Sequence, residues 1–293
     1  MSRDRRAGER RAARPNADLS SEVGEAEEGS EAYGRPKRSL GQNFLSDPNT
    51  AAKIVAALAI APGDVVVEIG PGRGALTPFI LKARPAAYLA LEKDRDLAVR
   101  LAREHPGASV AMTDALRLDW RRLDRLPGAR VIGNLPYNIA SPLLWDLCAG
   151  AAAFARGVFM VQHEVARRLA ASPGGREYGA LSAWVGSFAR VEYCFKVPPT
   201  VFRPRPKVDS AVVAVTPRPA AERPAEPAAL SCLLKILFSL RRKQLGGILK
   251  AFRDAELDAW LAEKGISERQ RPEDLSPPQL SELSILLKKR LGS

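Results

Sequence analysis

Histidine and cysteine are scarce: His105 and His163 are the only histidines, and Cys148, Cys194 and Cys232 stand far apart with no CxxC spacing. This argues against a disulfide scaffold and a zinc cluster, so no metal site is expected. Long apolar runs are missing too. The longest nearly uncharged one, Ile54 to Pro62, falls far short of the roughly 18 residues a membrane-spanning helix needs, and no membrane role is expected. The N-terminus has no apolar signal core, which with unpaired cysteines points to a reducing compartment, the cytoplasm.

What is present fits a soluble globular chain. Its 293 residues are 46% hydrophobic and 27% charged, enough for one good-sized core and a second, smaller one. Lys and Arg outnumber Asp and Glu by 45 to 33, a net charge of +12 that favours a polyanionic partner. The first 38 residues hold nine basic and eight acidic side chains, so +11 belongs to the body that follows. That first segment runs from Arg-rich to acidic Ser/Gly/Glu with almost nothing large and apolar, and is expected to be a disordered tail over residues 1–38.

From Ser39 onward, apolar runs of strand length alternate with helix-length amphipathic segments, the pattern of β-α units on a mostly parallel sheet. Strands are predicted at Val65 to Ile69, Tyr88 to Glu92, Ser109 to Thr113, Arg130 to Gly133 and Gly157 to Val161. Helices are predicted at Asn49 to Leu58, Ala75 to Lys82, Arg95 to Glu104, and from Ser141 with Pro142 as its first helical residue. Val191 to Val197 and Asp209 to Val215 flank a Pro-rich loop and are expected to pair as an antiparallel hairpin at the sheet edge. Prolines 217, 219, 224 and 227 mark a linker, after which Leu230 to Phe252, Ala255 to Lys264 and Pro277 to Leu291 read as helices. The expected division is an α/β domain over 39–216 and a small helical domain over 217–293.

Val65-Val-Val-Glu-Ile-Gly-Pro-Gly-Arg-Gly74 is a buried strand entering a Gly-rich turn, where Gly70 and Gly72 let backbone approach a ligand closely. Some 20 residues on, Glu92 ends the second strand, where a carboxylate can accept the hydroxyl protons of a ribose. Asp114 follows the third strand in the same way. Each acid alone reads as a solvated strand end or helix cap; the ordered set points to a nucleoside-containing cofactor.

The fourth strand ends in Gly133-Asn-Leu-Pro-Tyr-Asn138. The amine of adenine is a poor nucleophile because its lone pair is delocalised into the ring. Accepting its two protons at the Asn134 side-chain oxygen and a backbone carbonyl such as that of Leu135, beside Pro136, favours a tetrahedral nitrogen that can attack a methyl group. Tyr137 offers a π face to an extruded base.

With these residues the chain closely resembles the ribosomal RNA small-subunit (16S rRNA) adenine dimethyltransferase family. The resemblance is carried by Gly41-Gln-Asn-Phe-Leu45, Glu68 to Gly74, Leu91 to Leu97, Thr113-Asp114, Gly133 to Pro142, Gln162 to Leu169, Tyr178 to Ser182, the Pro-rich Val197 to Val213, and in weaker form Arg241-Arg-Lys243. It implies a Rossmann-like S-adenosylmethionine-dependent methyltransferase domain with a small C-terminal helical domain. It also implies methylation of two adjacent adenosines in a 16S rRNA hairpin of the small subunit or its precursor, by a monomer.

By the same resemblance, Asn43 and Leu45 line the cofactor site, Gly70 and Gly72 approach the methionine portion, Glu92 holds the ribose and Asp114 reads the adenine. Asn134 closes the site beside the target amine, and Tyr137 and Phe202 sandwich the flipped base. Arg241, Arg242 and Lys243, read as part of the first long C-terminal helix, are expected to contact RNA phosphates. No general base is required, because the amine proton becomes acidic once its nitrogen is methylated. His163 departs from the family pattern and reads as a surface variation.

Other readings stay open. One is the related class that methylates 23S rRNA, in which Ile is typical where Leu135 stands. Another is a non-catalytic RNA-binding factor on the same scaffold, and a third is a nicotinamide-dependent oxidoreductase, suggested by the GxGxxA spacing.

Overall fold

Runs of Val, Ile and Leu set the strands, and the computed structural model, which describes residues 42–291, gathers most of them in one sheet. In chain order they are β1 (Phe44–Leu45), β2 (Val65–Ile69), β3 (Ala87–Glu92), β4 (Ser109–Met112), β5 (Arg130–Asn134), β6 (Arg156–Gln162), β7 (Ala189–Val197), β8 (Phe202–Arg203) and β9 (Ser210–Pro217). The tail expected over residues 1–38 lies outside the described residues.

The seven-stranded sheet has the order β4-β3-β2-β5-β6-β9-β7. From β4 to β6 the strands are parallel, β9 runs antiparallel to β6, and β7 closes the edge antiparallel to β9. The expected edge hairpin is therefore present. From β2 the chain steps outward through β3 and β4 and then returns to the other side of β2 as β5. This reversal opens a crevice at the carboxyl ends of β2 and β5, the place where doubly wound sheets bind ligands.

Both faces of the sheet are covered, as near-continuous apolar strands require. Alternate residues divide accordingly: Val67, Val131, Phe159 and Val161 enter one buried cluster, while Val66, Ile132, Val158 and Met160 enter the other. The second cluster takes Ile54 and Leu58 from the helix Pro48–Leu58, whose N-terminus is capped by Asp47 accepting the Thr50 N–H at 2.7 Å. The first contains residues of the sheet together with Leu230, Leu234, Leu257, Leu283 and Leu287 from the C-terminal helices. Strands give way to helices after Pro217, and the helices Pro227–Ser239 and Pro277–Leu291 pack against the helix Ala180–Phe188 and against each other, joining the same buried cluster.

Several boundaries differ from expectation, each for a local reason. The helix after the glycine turn begins at Thr77 rather than Ala75, with Pro78 in its first turn. The next one expected from Ser141 begins at Ala140, because the Pro136 carbonyl already accepts the N–H groups of Ile139 and Ala140 and winds the preceding turn into the helix. Helices His163–Leu169 and Ala180–Phe188 went unpredicted. The run read as one helix from Leu230 to Phe252 is broken: Pro227–Ser239 is followed by a turn, then by the short helices Leu245–Leu249 and Lys250–Phe252. Arg241, Arg242 and Lys243 sit in that turn and not in a long helix, since three successive cations offer nothing to bury and the chain leaves the core there.

The expected linker is held down as well. Arg223 donates to the carbonyls of Cys148, Ala149 and Ala151 at 2.7, 2.9 and 2.8 Å, satisfying the open end of the helix Ala140–Gly150.

Candidate active site

The crevice is lined by the ends of β2, β3 and β5 and by segments arriving from far away in sequence. Gly70 and Gly72 form its glycine turn with φ of +63° and +60°, a region that side-chain-bearing residues rarely occupy. At Gly72 a Cβ would also lie 3.2 Å from the Phe44 ring, a tight contact, whereas at Gly70 it would meet nothing within 4 Å and the backbone conformation alone calls for glycine. Gly133 answers from β5, where a Cβ would meet the Ile69 carbonyl at 2.8 Å.

Glu92 is 6% exposed, and both its oxygens are engaged by backbone: Oε2 accepts the Gly72 N–H at 3.0 Å and Oε1 the Asp94 N–H at 2.8 Å. Burial raises its pKa, and the backbone hydrogen bonds oppose that rise. Each oxygen keeps a lone pair for a further donor, so the group is suited to a vicinal diol. Asp114 lines the same crevice with two other tasks already filled. Its Oδ1 caps the short helix Ala115–Arg117 at the Leu116 N–H, 3.1 Å away, and its Oδ2 pairs with Lys93 Nζ at 2.9 Å. The Lys93 hydrogen bond holds its carboxyl below the usual carboxylate range.

Asn134, at the end of β5, donates from Nδ2 to the Asn43 carbonyl at 3.3 Å. That bond orients the amide: with the nitrogen turned to Asn43, the oxygen is the acceptor left for the crevice. Asn43 is carried there by the two-stranded sheet in which Phe44 pairs with Arg203 and Leu45 with Phe202. Leu135 donates its N–H to the Met160 carbonyl at 3.0 Å, locking the Asn134-Leu135-Pro136-Tyr137 segment to β6. Tyr137 is partly exposed, and its hydroxyl meets Ser210 Oγ at 2.7 Å. Phe202 lines the crevice but is 1% exposed, being a core side chain at the same time.

The structure thus brings Asn43, Leu45, Gly70, Gly72, Glu92, Asp114, Asn134, Leu135, Pro136, Tyr137 and Phe202 around one crevice. Arg241, Arg242 and Lys243 are not part of it. Arg241 is taken up by Glu273 at 2.6 Å and by the Arg176 carbonyl at 2.7 Å.

Sequence reasoning gave Glu68 no role. It is 1% exposed and accepts the Tyr88 hydroxyl at 2.6 Å and the Thr77 hydroxyl at 2.9 Å, both at Oε2, and burial lifts its pKa to about 7. The signal was in view: a carboxylate inside an otherwise apolar strand is costly to bury unless protonated or well bonded. Lys93, Arg73 and Phe44 also line the crevice unforeseen, with the Arg73 guanidinium 4.4 Å from the centre of the Phe44 ring.

Comparison with known proteins shows the family to which the chain belongs. Residues 34–289 match the sequence profile of the family described as ribosomal RNA adenine dimethylase. The chain is 52% identical over 249 residues to the ribosomal RNA small subunit methyltransferase A of Maridesulfovibrio salexigens, covering 85% of this chain and 94% of that one. It is 41% identical over 255 residues to the protein of the same name from Chlorobaculum tepidum, covering 86% and 89%. Among solved structures it is similar to a dimethyladenosine transferase from Plasmodium falciparum, with a TM-score of 0.69 and 25% identity over 85% of this chain and 98% of that one. It is also similar to the 23S rRNA methyltransferase ErmE, with a TM-score of 0.63 and 26% identity over 86% and 100%. By its glycine turn, its Asn134 segment and these matches, the chain belongs to the ribosomal RNA adenine dimethylase family.

Proposed function

We propose that this chain moves methyl groups from S-adenosylmethionine to the exocyclic N6 amines of two adjacent adenosines in a 16S rRNA hairpin, giving N6,N6-dimethyladenosine during small-subunit biogenesis. It acts as a monomer in the cytoplasm. The name shared by the relatives from Maridesulfovibrio salexigens and Chlorobaculum tepidum supports the small subunit as substrate. No helix among the described residues is long and apolar enough to cross a membrane.

The residues present suit the cofactor. A floor of bare backbone at Gly70 and Gly72, a buried carboxylate with lone pairs to spare at Glu92, and apolar walls from Ile69, Leu91, Leu97 and Ala115 match a methionine chain, a ribose and a purine. When bound, S-adenosylmethionine supplies an electrophilic methyl group on a sulfonium. Glu92 then holds the ribose hydroxyls, and Asp114, steadied by Lys93, accepts from the adenine amine.

The observation that carries the reading is the Asn134–Asn43 hydrogen bond. With Nδ2 committed, the Asn134 oxygen accepts one N6 proton of the target base and the Leu135 carbonyl accepts the other. Both contacts strengthen as the nitrogen turns tetrahedral, so they favour the transition state over the ground state. Tyr137, its hydroxyl tethered to Ser210, stacks on the extruded base, with Phe202 behind it. After transfer the acidified amine proton leaves to water, and no side chain has to act as base. Arg241, Arg242 and Lys243 dock the particle through phosphates, which position without reading bases.

The test is methyl transfer from labelled S-adenosylmethionine to isolated small and large subunits, followed by mass spectrometry of the RNA. Dimethyladenosine confined to the small-subunit RNA is the expected result. Label in the large-subunit RNA alone would transfer the assignment to the 23S-modifying class.

A further inference from the structure

The chain carries more positive charge than its acids can pair, and the loop that runs from the last residue of β8, Arg203, to β9 holds a concentrated share of it. Arg203, Arg205 and Lys207 are exposed, and among the described residues none of them has a carboxylate partner. Among the described residues Arg203 turns back on the carbonyls of Thr200 and Phe202, at 3.5 and 3.3 Å. The contrast with Arg241, Arg253 and Lys264, all paired with acids, is plain.

Both ends of this loop are fixed in the crevice. Phe202 lines it and pairs with Leu45, and Ser210 meets the Tyr137 hydroxyl at 2.7 Å. Pro204 and Pro206 restrict the backbone between the cations. Next to the loop a groove is bordered by Gln162, His163, Lys207 and Val208. Its acids are already neutralised: Asp209 pairs with Lys196 at 2.8 Å, and Glu164 with Arg168. The unpaired cations thus stand beside the place where a base would enter.

We infer that this loop holds the RNA backbone on either side of the target adenosine, with Arg203, Arg205 and Lys207 contacting its phosphates and the His163–Val208 groove receiving the adjoining stretch of strand. The inference rests on the reading of the crevice as an RNA adenine site. A base drawn out of its stack carries its own phosphates with it, so cations flanking the base site meet them whatever the sequence around it. Phosphate contacts of this kind set register, and they place the amine against Asn134 without reading bases.

The probe is a synthetic RNA hairpin with two adjacent unpaired adenosines, bound over a range of salt concentrations. Replacing Arg205→Gln and Lys207→Gln together is expected to weaken binding severalfold at low salt. It should also flatten the slope of log affinity against log salt by about 0.7 for each lost contact, the single-strand value. Affinity for S-adenosylmethionine should equal the parent's, which verifies the fold. The charge-conserving pair Arg205→Lys and Lys207→Arg should keep the parent's slope, and Lys207→Gln alone should produce about half the flattening. A parent slope in the folded Gln variants, or no salt-dependent binding by the parent, overturns the loop assignment. Transfer to small subunits by the parent, measured in parallel, tests the proposed substrate independently of the loop.

Discussion

Oε2 of Glu92 accepts the backbone N–H of Gly72 at 3.0 Å, joining the end of β3 to the glycine turn that follows β2. The same carboxylate holds the Asp94 N–H at 2.8 Å, at the start of the helix Arg95–Glu104. One side chain thus shapes the turn and lines the crevice proposed for the cofactor. Glu92→Ala should weaken S-adenosylmethionine by about 1–3 kcal/mol, the cost of leaving buried donors unpaired. Calorimetric titration of the folded variant is the check, and parent-like affinity would refute the ribose assignment.

Asn134→Ala removes the oxygen proposed to accept the target amine while leaving the exposed cations in place. Methyl transfer should fall by roughly a hundredfold or more, as when a single transition-state acceptor or donor is deleted elsewhere. Association with small subunits should change little. Single-turnover kinetics beside a binding assay separates the two, and near-normal turnover would remove the proposed activation.

Tyr137 has two separable features, a ring and a hydroxyl bonded to Ser210. Tyr137→Phe keeps the ring and gives up one hydrogen bond, worth about 1 kcal/mol. Tyr137→Ala also gives up base stacking, worth about 1–3 kcal/mol per base. Transfer should therefore decline in the order Tyr, Phe, Ala, with most of the loss at the second step. Equal rates for Phe and Ala variants would mean that the ring does not touch the base. Phe202 is unsuited to this experiment: it is buried, and Phe202→Ala would destabilise the fold by about 3–5 kcal/mol.

Glu68 predicts a pH dependence of stability. Burial raises it from the ordinary 4.5 to about 7, so the folded chain keeps a proton that the unfolded chain releases. This contribution is fully present below the unfolded value and is lost as pH rises through the folded one, between about 4.5 and 7. Glu68→Gln mimics the protonated acid and still accepts from Tyr88 and Thr77. Its Tm should therefore fall less than the parent's as pH rises across that window. Parallel Tm profiles would show that Glu68 is ionised in the fold.

Legibility in the sequence followed the range over which each feature is determined. The apolar run Val65–Ile69 is long and regular enough to give the observed strand end to end, and Glu92 and Asn134 could be placed because they close such strands. The β1–β8 pairing, which brings Asn43 to Asn134 and Phe44 to Gly72, joins segments far apart in the chain and leaves no local pattern. Family resemblance alone drew Asn43, Leu45 and Phe202 to the site. Leu230 to Phe252 reads as one helix in the sequence, but the exposed cations in residues 240–244 interrupt the apolar face that packing requires. Asp114 is both cap and crevice wall, a pair of roles that residue type alone cannot separate.

That interruption alters how the Arg241–Lys243 turn should be tested. Arg241 is bonded to Glu273 and to the Arg176 carbonyl, so reversing its charge would set two carboxylates against each other and disturb the turn. Arg242 and Lys243 have no ion pair among the described residues and are exposed in a turn, where phosphate contact is the proposed role. Arg242→Glu with Lys243→Glu, leaving Arg241 intact, should change stability by no more than about 0.5 kcal/mol, the usual range for surface positions. It should weaken small-subunit binding and flatten its salt slope by about one unit per lost contact. Affinity for S-adenosylmethionine should stay at the parent value, because neither residue lines the crevice proposed for the cofactor. Filter binding over a salt series decides the matter: if the folded variant keeps the parent's affinity and slope, the turn is solvated surface and docking rests on other cations.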